Sequence, residues 1–210
     1  MKNSKHSDLP KIASCHRSAF PKSFSTQLGQ KYCEKMLAWY LSTDKAFLFH
    51  FEEKDKVIGY CGGIVNDGTL STGSSSAMMQ YSFNQAIKSL AIRPWLFFHP
   101  EMFKNYTIVL KNVLVKLGLK KHKRSTVSKE KSKKEPVVGL VVIGVDAQFH
   151  GKGYGSKLLQ EFEKKAKEIG VNKISLSVKS SNSKAIKSYK RNDWVETKRD
   201  EISVKMIKNL

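Results

Sequence analysis

Residues 137–170 read VVGLVVIGVDAQFHGKGYGSKLLQEFEKKAKEIG, and within them the periodicity changes twice. Val137 to Val145 is an almost unbroken apolar run rich in β-branched residues, the pattern of a strand covered on both faces. Then come Gln148 to Gly155, with Gly151, Gly153 and Gly155 at alternate positions. From there Tyr154, Leu158, Leu159, Phe162, Ala166 and Ile169 fall on one stripe of a helix that Gly170 stops. Glycines spaced this way let the backbone turn tightly and present successive N–H groups with no Cβ in the way. At a helix N-terminus those donors lack intrahelical acceptors and the macrodipole is positive, so the place suits a phosphate. Lys152 and Lys157 add full positive charges beside it. The spacing is not that of the dinucleotide fingerprint, and no GxxxxGK[ST] loop occurs in the chain.

Downstream, Lys173 to Val178 alternates Ile174, Leu176 and Val178 with Ser175 and Ser177, a strand with one polar face. Residues 183–191 form a short helix, and Ile202, Val204 and Met206 alternate in a last strand. Upstream, Asp8 before Leu9-Pro10 predicts a helix N-cap, with the helix running to about Phe20 and stopped by Pro21. Leu28, Tyr32, Met36, Leu37, Tyr40 and Leu41 predict a second helix. Ala46–Glu52 and Val57–Val65, joined by Glu53-Lys54-Asp55-Lys56, predict an antiparallel hairpin. Between the hairpin and the apolar strand, residues 66–136 stand apart: a Gly/Ser opening, a helix over about 77–92 ended by Pro94, and a further helical pattern from His99 to Leu117. Residues 120–135 hold 8 basic and 2 acidic residues and one apolar residue, the composition of a flexible loop. There is no internal repeat.

The 210 residues are about the length of one domain, and 40% hydrophobic residues suffice for a core. The 38 Lys+Arg against 18 Asp+Glu give a net charge of +20, far beyond what solubility needs, so an anion is handled. By segment the charge is +5 over 1–50, 0 over 51–100, +7 over 101–150 and +8 over 151–210. Nucleic acid is one reading of it, yet no helix-turn-helix, zinc finger or RNA-binding aromatic pattern is present, and no specific nucleic-acid partner is expected. Cys15, Cys33 and Cys61 are scattered, which reads as free thiols in a reducing compartment, with no metal site. Without an apolar leader or a stretch long enough to span a bilayer, the chain is expected to be soluble and cytoplasmic.

Two motifs in order resemble the GNAT superfamily of acyl-CoA-dependent N-acyltransferases. Gln148-Phe149-His150-Gly151-Lys152-Gly153 matches its Q/R-x-x-G-x-G/A signature after the fourth strand. Asn182, Ala185, Tyr189 and Trp194 are similar to its N-x-x-A-x-x-x-Y-x-x-x-G-F/W, with Asp193 at the usual glycine and His150 at a common arginine. The resemblance covers 137–207 well, residues 8–65 in element order only, and leaves 66–136 unexplained. It implies an α/β (α+β) fold: a mixed, mostly antiparallel central sheet flanked by helices. Here the sheet carries a helical insertion between the third and fourth strands, over 66–136, ending in the basic loop at about 119–136. The whole chain, 1–210, would be one domain, as monomer or homodimer. The first strand is in doubt, because only MKNSKHS precedes Asp8.

The resemblance further implies an acetyltransferase acting on acetyl-CoA and a primary amine, by direct attack in a ternary complex. Backbone groups of Ile143, Gly144 and Val145 would pair with the pantetheine arm. Amides from Gln148, Phe149, His150, Gly151, Lys152, Gly153, Tyr154, Gly155 and Ser156 would hold the pyrophosphate. Asn182 would contact the pantetheine or the loop beneath it, and Tyr189 would protonate the leaving thiolate. The general base is unassigned, with His50, Glu52, Asp67, His99 and Glu135 as candidates. A small hydroxylated amine such as an amino sugar is the expected acceptor, ahead of a peptide or protein amine. A nucleic-acid-binding protein and a non-catalytic acyl-CoA sensor are the readings of other classes.

Overall fold

The structure, a computed structural model, describes residues 1–66, 74–102 and 136–210. In chain order the main elements are β1 (Lys2–Asn3), α1 (Leu9–Ala19), α2 (Phe24–Gln27), α3 (Gln30–Ala38), β2 (Ala46–Glu53), β3 (Lys56–Asn66) and α4 (Ser74–Ile92). After them come β4 (Val137–Val145), α5 (Tyr154–Glu168), β5 (Lys173–Lys179), α6 (Ser183–Arg191), β6 (Val195–Arg199) and β7 (Ser203–Asn209). The described strands form one sheet in the order β1-β2-β3-β4-β5-β7-β6. Only β4 and β5 pair in parallel, joined through α5; every other neighbour is antiparallel. This is the mixed, mostly antiparallel sheet expected. Its doubtful first strand is present as two residues, Lys2 and Asn3 opposite His50 and Phe49.

Helices cover both faces, which is why β4 is apolar along nearly its whole length. On one face α5 lays Leu158, Leu159, Phe162 and Ala166 against Phe49, Cys61, Val138, Leu140 and Ile174. On the other, α1 and α3 set Ile12, Ala13, Cys33 and Leu37 against Leu48, Tyr60 and Ile64. The β2–β3 turn has positive φ at both Lys54 (47°) and Asp55 (65°), the two-residue geometry that follows strand twist.

Several boundaries differ from the sequence reading. Asp8 stands at the N-cap of α1 as expected, with Pro10 in the first turn, but its carboxylate makes no cap bond to the helix: it accepts from the Lys5 N–H at 2.7 Å and closes the short turn before it. The second helix begins earlier and in two pieces: Ser23 caps α2, and the chain turns at Gly29 before α3. β6, a polar and largely exposed strand, gave no apolar alternation to read. Ile202 precedes the last strand and is exposed. The helix read over 77–92 spans 74–92, and Pro94–Phe98 form a 3-10 turn. Of the pattern from His99 to Leu117, residues 100–102 are helical and 103–117 lie outside the described residues, as do 119–135 of the loop, Asp67 and Glu135.

Candidate active site

β4 and β5 pair only at Val138–Ile174, Gly139–Ser175 and Leu140–Leu176, and beyond Leu140 they part. On its other side β4 stays paired to β3 as far as Val145, with a bulge that leaves Val141 unpaired between Gly62–Val142 and Gly63–Leu140. The backbone of 141–145 therefore has an edge facing a gap in the sheet, the place where an extended ligand can add as a strand. Ile143, Gly144 and Val145 lie on that edge, and the Val145 carbonyl already accepts from His150 Nε2 at 2.8 Å.

At the mouth of the gap the glycine loop leads into α5. Gly151 (φ 77°) and Gly153 (φ 81°) are both left-handed, and Gly153 is the N-cap of the helix. A Cβ at Gly151, Gly153 or Gly155 would meet nothing within 4 Å, so the loop encloses open space that an anion can enter. The first-turn amides of Tyr154, Gly155 and Ser156 point out of the helix start without intrahelical acceptors.

The loop is tied down on both sides. Ala147 N–H donates to Ser18 Oγ at 3.1 Å, joining it to α1. Asp146 accepts from Gln148 N–H at 3.0 Å and pairs with Lys56 Nζ at 3.1 Å, and Lys56 also holds Gln148 Oε1 at 2.9 Å. Burial pushes the Asp146 carboxyl up, but these bonds outweigh it and hold it below its ordinary value. Phe149 stacks near Lys56 and Lys152 at 5.3 and 5.0 Å, leaving the Lys152 ammonium beside the loop.

α6 stands next to the start of α5, with Asn192 Nδ2 donating to Ser156 Oγ at 3.3 Å. Asn182 caps α6: its Oδ1 accepts from Ala185 N–H at 3.1 Å, which leaves the amide NH₂ for a ligand. Tyr189 packs against the α5-side core together with Ile143, Val145 and Ala185. Burial, with the Cys61 thiol nearby, pushes its phenol up to about 12. Asp193 takes the left-handed conformation (φ 64°) that a glycine would adopt there.

The candidate bases fare differently. Hydrogen bonds from Lys2 and Lys11 hold Glu52 at about 2, an ion pair that secures β1 and α1 to the sheet. His50 is buried on β2 and bonded to Ser4 Oγ at 2.9 Å, and burial lowers its pKa. His99 packs at a tilt against Phe24 with ring centres 5.2 Å apart. Among the aromatic residues of 66–136, Trp95, Phe97 and Phe98 are exposed, Tyr81 packs against the α1-side core, and Phe103 and Tyr106 lie outside the described residues.

One constellation has no signature in the sequence. His16 on α1 is buried, bonded through Nδ1 to the Tyr60 hydroxyl and through Nε2 to Ser25 Oγ at 2.9 Å. Its residues come from α1, α2 and β3, so only the fold assembles it. Tyr60 and Phe20 rings lie within 2.6 and 3.1 Å of where a Cβ on Gly144 would sit, so only glycine fits and the cluster borders the gap opposite Tyr189. Burial lowers the His16 pKa to about 4, so between pH 6.5 and 4 the unfolded chain takes up a proton that the folded chain refuses. Stability from this residue is therefore complete above pH 6.5 and falls as pH drops toward 4. Urea unfolding of His16→Gln is expected to show a shallower loss over that window than the wild type.

Among the described residues no helix is long and apolar enough to cross a membrane, and no group of three or more His, Cys, Asp or Glu is placed to hold a metal ion. Residues 117–194 match the profile of the acetyltransferase (GNAT) family. No curated protein sequence matches the chain significantly. Solved structures share its fold. PaiA N-acetyltransferase from Thermoplasma acidophilum, determined with coenzyme A, is 12% identical, with full coverage of both chains and a TM-score of 0.54. A ribosomal-protein-alanine N-acetyltransferase from Brucella melitensis is 13% identical, covering 100% of this chain and 98% of that one, with a TM-score of 0.56. The ribosomal-protein-S18-alanine N-acetyltransferase from Escherichia coli is 15% identical over 98% and 88%, with a TM-score of 0.51.

Proposed function

We propose that this chain, whose residues 117–194 match the profile of the acetyltransferase (GNAT) family, acetylates the primary amine of a small hydroxylated molecule such as an amino sugar. Transfer is by direct attack on acetyl-CoA in a ternary complex. The observation that carries this reading is the parting of β4 and β5 beside a glycine cradle, with Tyr189 on one side of the gap. Ile143, Gly144 and Val145 offer backbone groups to the pantetheine arm, and the amides of Gln148 to Ser156 offer donors to the pyrophosphate. In this reading the Asn182 NH₂, not used in capping α6, donates to the same arm. As the amine nitrogen bonds to the acetyl carbon and the carbon–sulfur bond breaks, Tyr189 gives its proton to the departing thiolate. The amine loses its own proton to solvent.

The net charge narrows the acceptor. A chain carrying +20 repels polycations, so an amine with a single ammonium group, or one attached to an acidic molecule, is favoured over a polyamine. A peptide amine is the second reading, and the names of the Brucella melitensis and Escherichia coli structures speak for it.

The test is acetyl-CoA binding by calorimetry, followed by thiol release with a panel of glucosamine, an alanine-first hexapeptide and spermine. We expect micromolar binding and turnover with glucosamine ahead of the peptide, and least with spermine. Absence of acetyl-CoA binding sinks the enzyme reading. Binding without turnover of any amine marks an acyl-CoA sensor instead.

A further inference from the structure

The polar face of β5 and the segment after α4 meet across the gap. Ile174, Leu176 and Val178 belong to the α5-side core, so Ser175, Ser177 and Lys179 face the side of α1 and α2. Lys179 lies three residues beyond Leu176, the last residue of β5 paired to β4, and so stands where the strands have separated. Over the same face, Arg93 Nη1 donates to the Leu28 carbonyl at 3.1 Å, and Leu96 packs with Leu28 and Leu90. From that anchorage the chain passes His99, packed at a tilt against Phe24, to Glu101. The Glu101 carboxylate takes Lys179 Nζ at 2.9 Å. Residues 93–101 thus run from α2 to the far lip of the gap, on the face opposite the α5-side core that holds Tyr189.

The Glu101–Lys179 pair is unequal. The Glu101 side chain is 36% exposed and the Lys179 side chain 74%. Burial pushes the Glu101 carboxyl up, but Lys179, the Phe24 N–H and the nearby His99 together bring it below its ordinary value, so it is charged at neutral pH. An exposed lysine is a loosely held partner, because solvent screens a surface ion pair and its long side chain loses little by leaving it. The Glu101 carboxylate is itself held from the protein side by the Phe24 N–H, as Asp146 is by Gln148 and Lys56 and Glu52 by Lys2 and Lys11.

We propose that Glu101 is the binding group for the acceptor's ammonium, and that Lys179 occupies this place until the acceptor arrives. This rests on the acetyltransferase reading. An incoming primary ammonium carries the same charge and the same three donors as the lysine head group it displaces. Ser175 and Ser177, on the same face of β5, supply hydroxyls to a hydroxylated acceptor. The site takes one ammonium, not several, since the displaced lysine stays nearby and repels a second.

The experiment measures acetyl transfer to glucosamine and to the alanine-first hexapeptide in wild type, Glu101→Gln, Glu101→Asp and Lys179→Ala. Where turnover is slow, calorimetry on the CoA-loaded protein reads amine binding instead. Glu101→Gln is expected to raise the amine KM or Kd about tenfold, Glu101→Asp to recover part of that, and Lys179→Ala to lower it by a few fold. Acetyl-CoA binding stays within about twofold in every variant. An unchanged amine constant in Glu101→Gln overturns the proposal, as does a wild type that binds acetyl-CoA but neither amine. Equal losses of Tm in Glu101→Gln and Lys179→Ala, with amine constants unmoved, mark a structural latch and overturn it too. Loss of acetyl-CoA binding in the wild type is the separate failure of the underlying reading.

Discussion

Tyr189→Phe is expected to lower kcat about a hundredfold or more, the usual scale of a positioned general acid, while leaving acetyl-CoA binding within about twofold. The substitution removes one hydroxyl and keeps the ring that packs with Ile143, Val145, Ala185 and Trp194, so the fold and the donor site remain. With its phenol pushed up to about 12, chiefly by burial, Tyr189 stays protonated throughout the working range. The departing thiolate, conjugate base of a thiol of pKa about 8.5, is a weaker base than the buried phenolate, so the proton is shared with the sulfur as charge develops on it rather than released ahead of bond breaking. The sign for pH dependence follows: an acid fails when deprotonated, so no loss of kcat from Tyr189 appears below about pH 11. Any rise of rate with pH belongs to the amine losing its proton. Steady-state kinetics from pH 6 to 10 check this, and a kcat unchanged in Tyr189→Phe removes the residue from the mechanism.

The second large effect lies in the loop. Gly153→Val is expected to weaken acetyl-CoA binding about a hundredfold, with a modest loss of Tm. Gly153 sits at φ 81°, where a β-branched residue is an outlier and a left-handed residue costs about 1–2 kcal/mol. The new side chain clashes with nothing in the protein itself, because the space around Gly153 is open. Its damage is to that space and to the direction of the neighbouring N–H groups. Gly155→Ala separates the two causes. Gly155 lies in the first turn of α5 without positive φ and with equally open surroundings. Alanine there suits the helix, so a fall in acetyl-CoA affinity without a fall in Tm locates the phosphate against this turn. Calorimetry and thermal melts on both variants supply the comparison.

What was readable without coordinates was local. The apolar run of β4, the alternate glycines and the stripe of α5 are each contained within a few turns of chain, and each formed as its spacing implied. Asn182 and Ala185, three residues apart, are a cap and the amide it receives. What was not readable depends on residues brought together from afar. His16 meets Tyr60 across 44 positions and Glu101 meets Lys179 across 78, with no periodicity linking either pair. Asp8 marked the start of α1 correctly, but two local acceptor roles were open to its side chain, and the Lys5 N–H took it rather than the helix. β6 escaped because VETKR carries no apolar face.

The unpaired Val141 acts on β4 as a shift of reading frame. Before it, the even positions Val138 and Leu140 face α5; after it, the odd positions Ile143 and Val145 do. Of the even positions that follow, Val142 packs on the α1 side and Gly144 falls under the rings of Tyr60 and Phe20, where no side chain fits. The strand is therefore punctuated to the residue. It can change by substitution, but adding or dropping one residue between 138 and 145 would put a side chain where the bare backbone stands and glycine where the core needs bulk. A one-residue insertion or deletion in β4 is therefore expected to cost far more than a substitution between two apolar residues there.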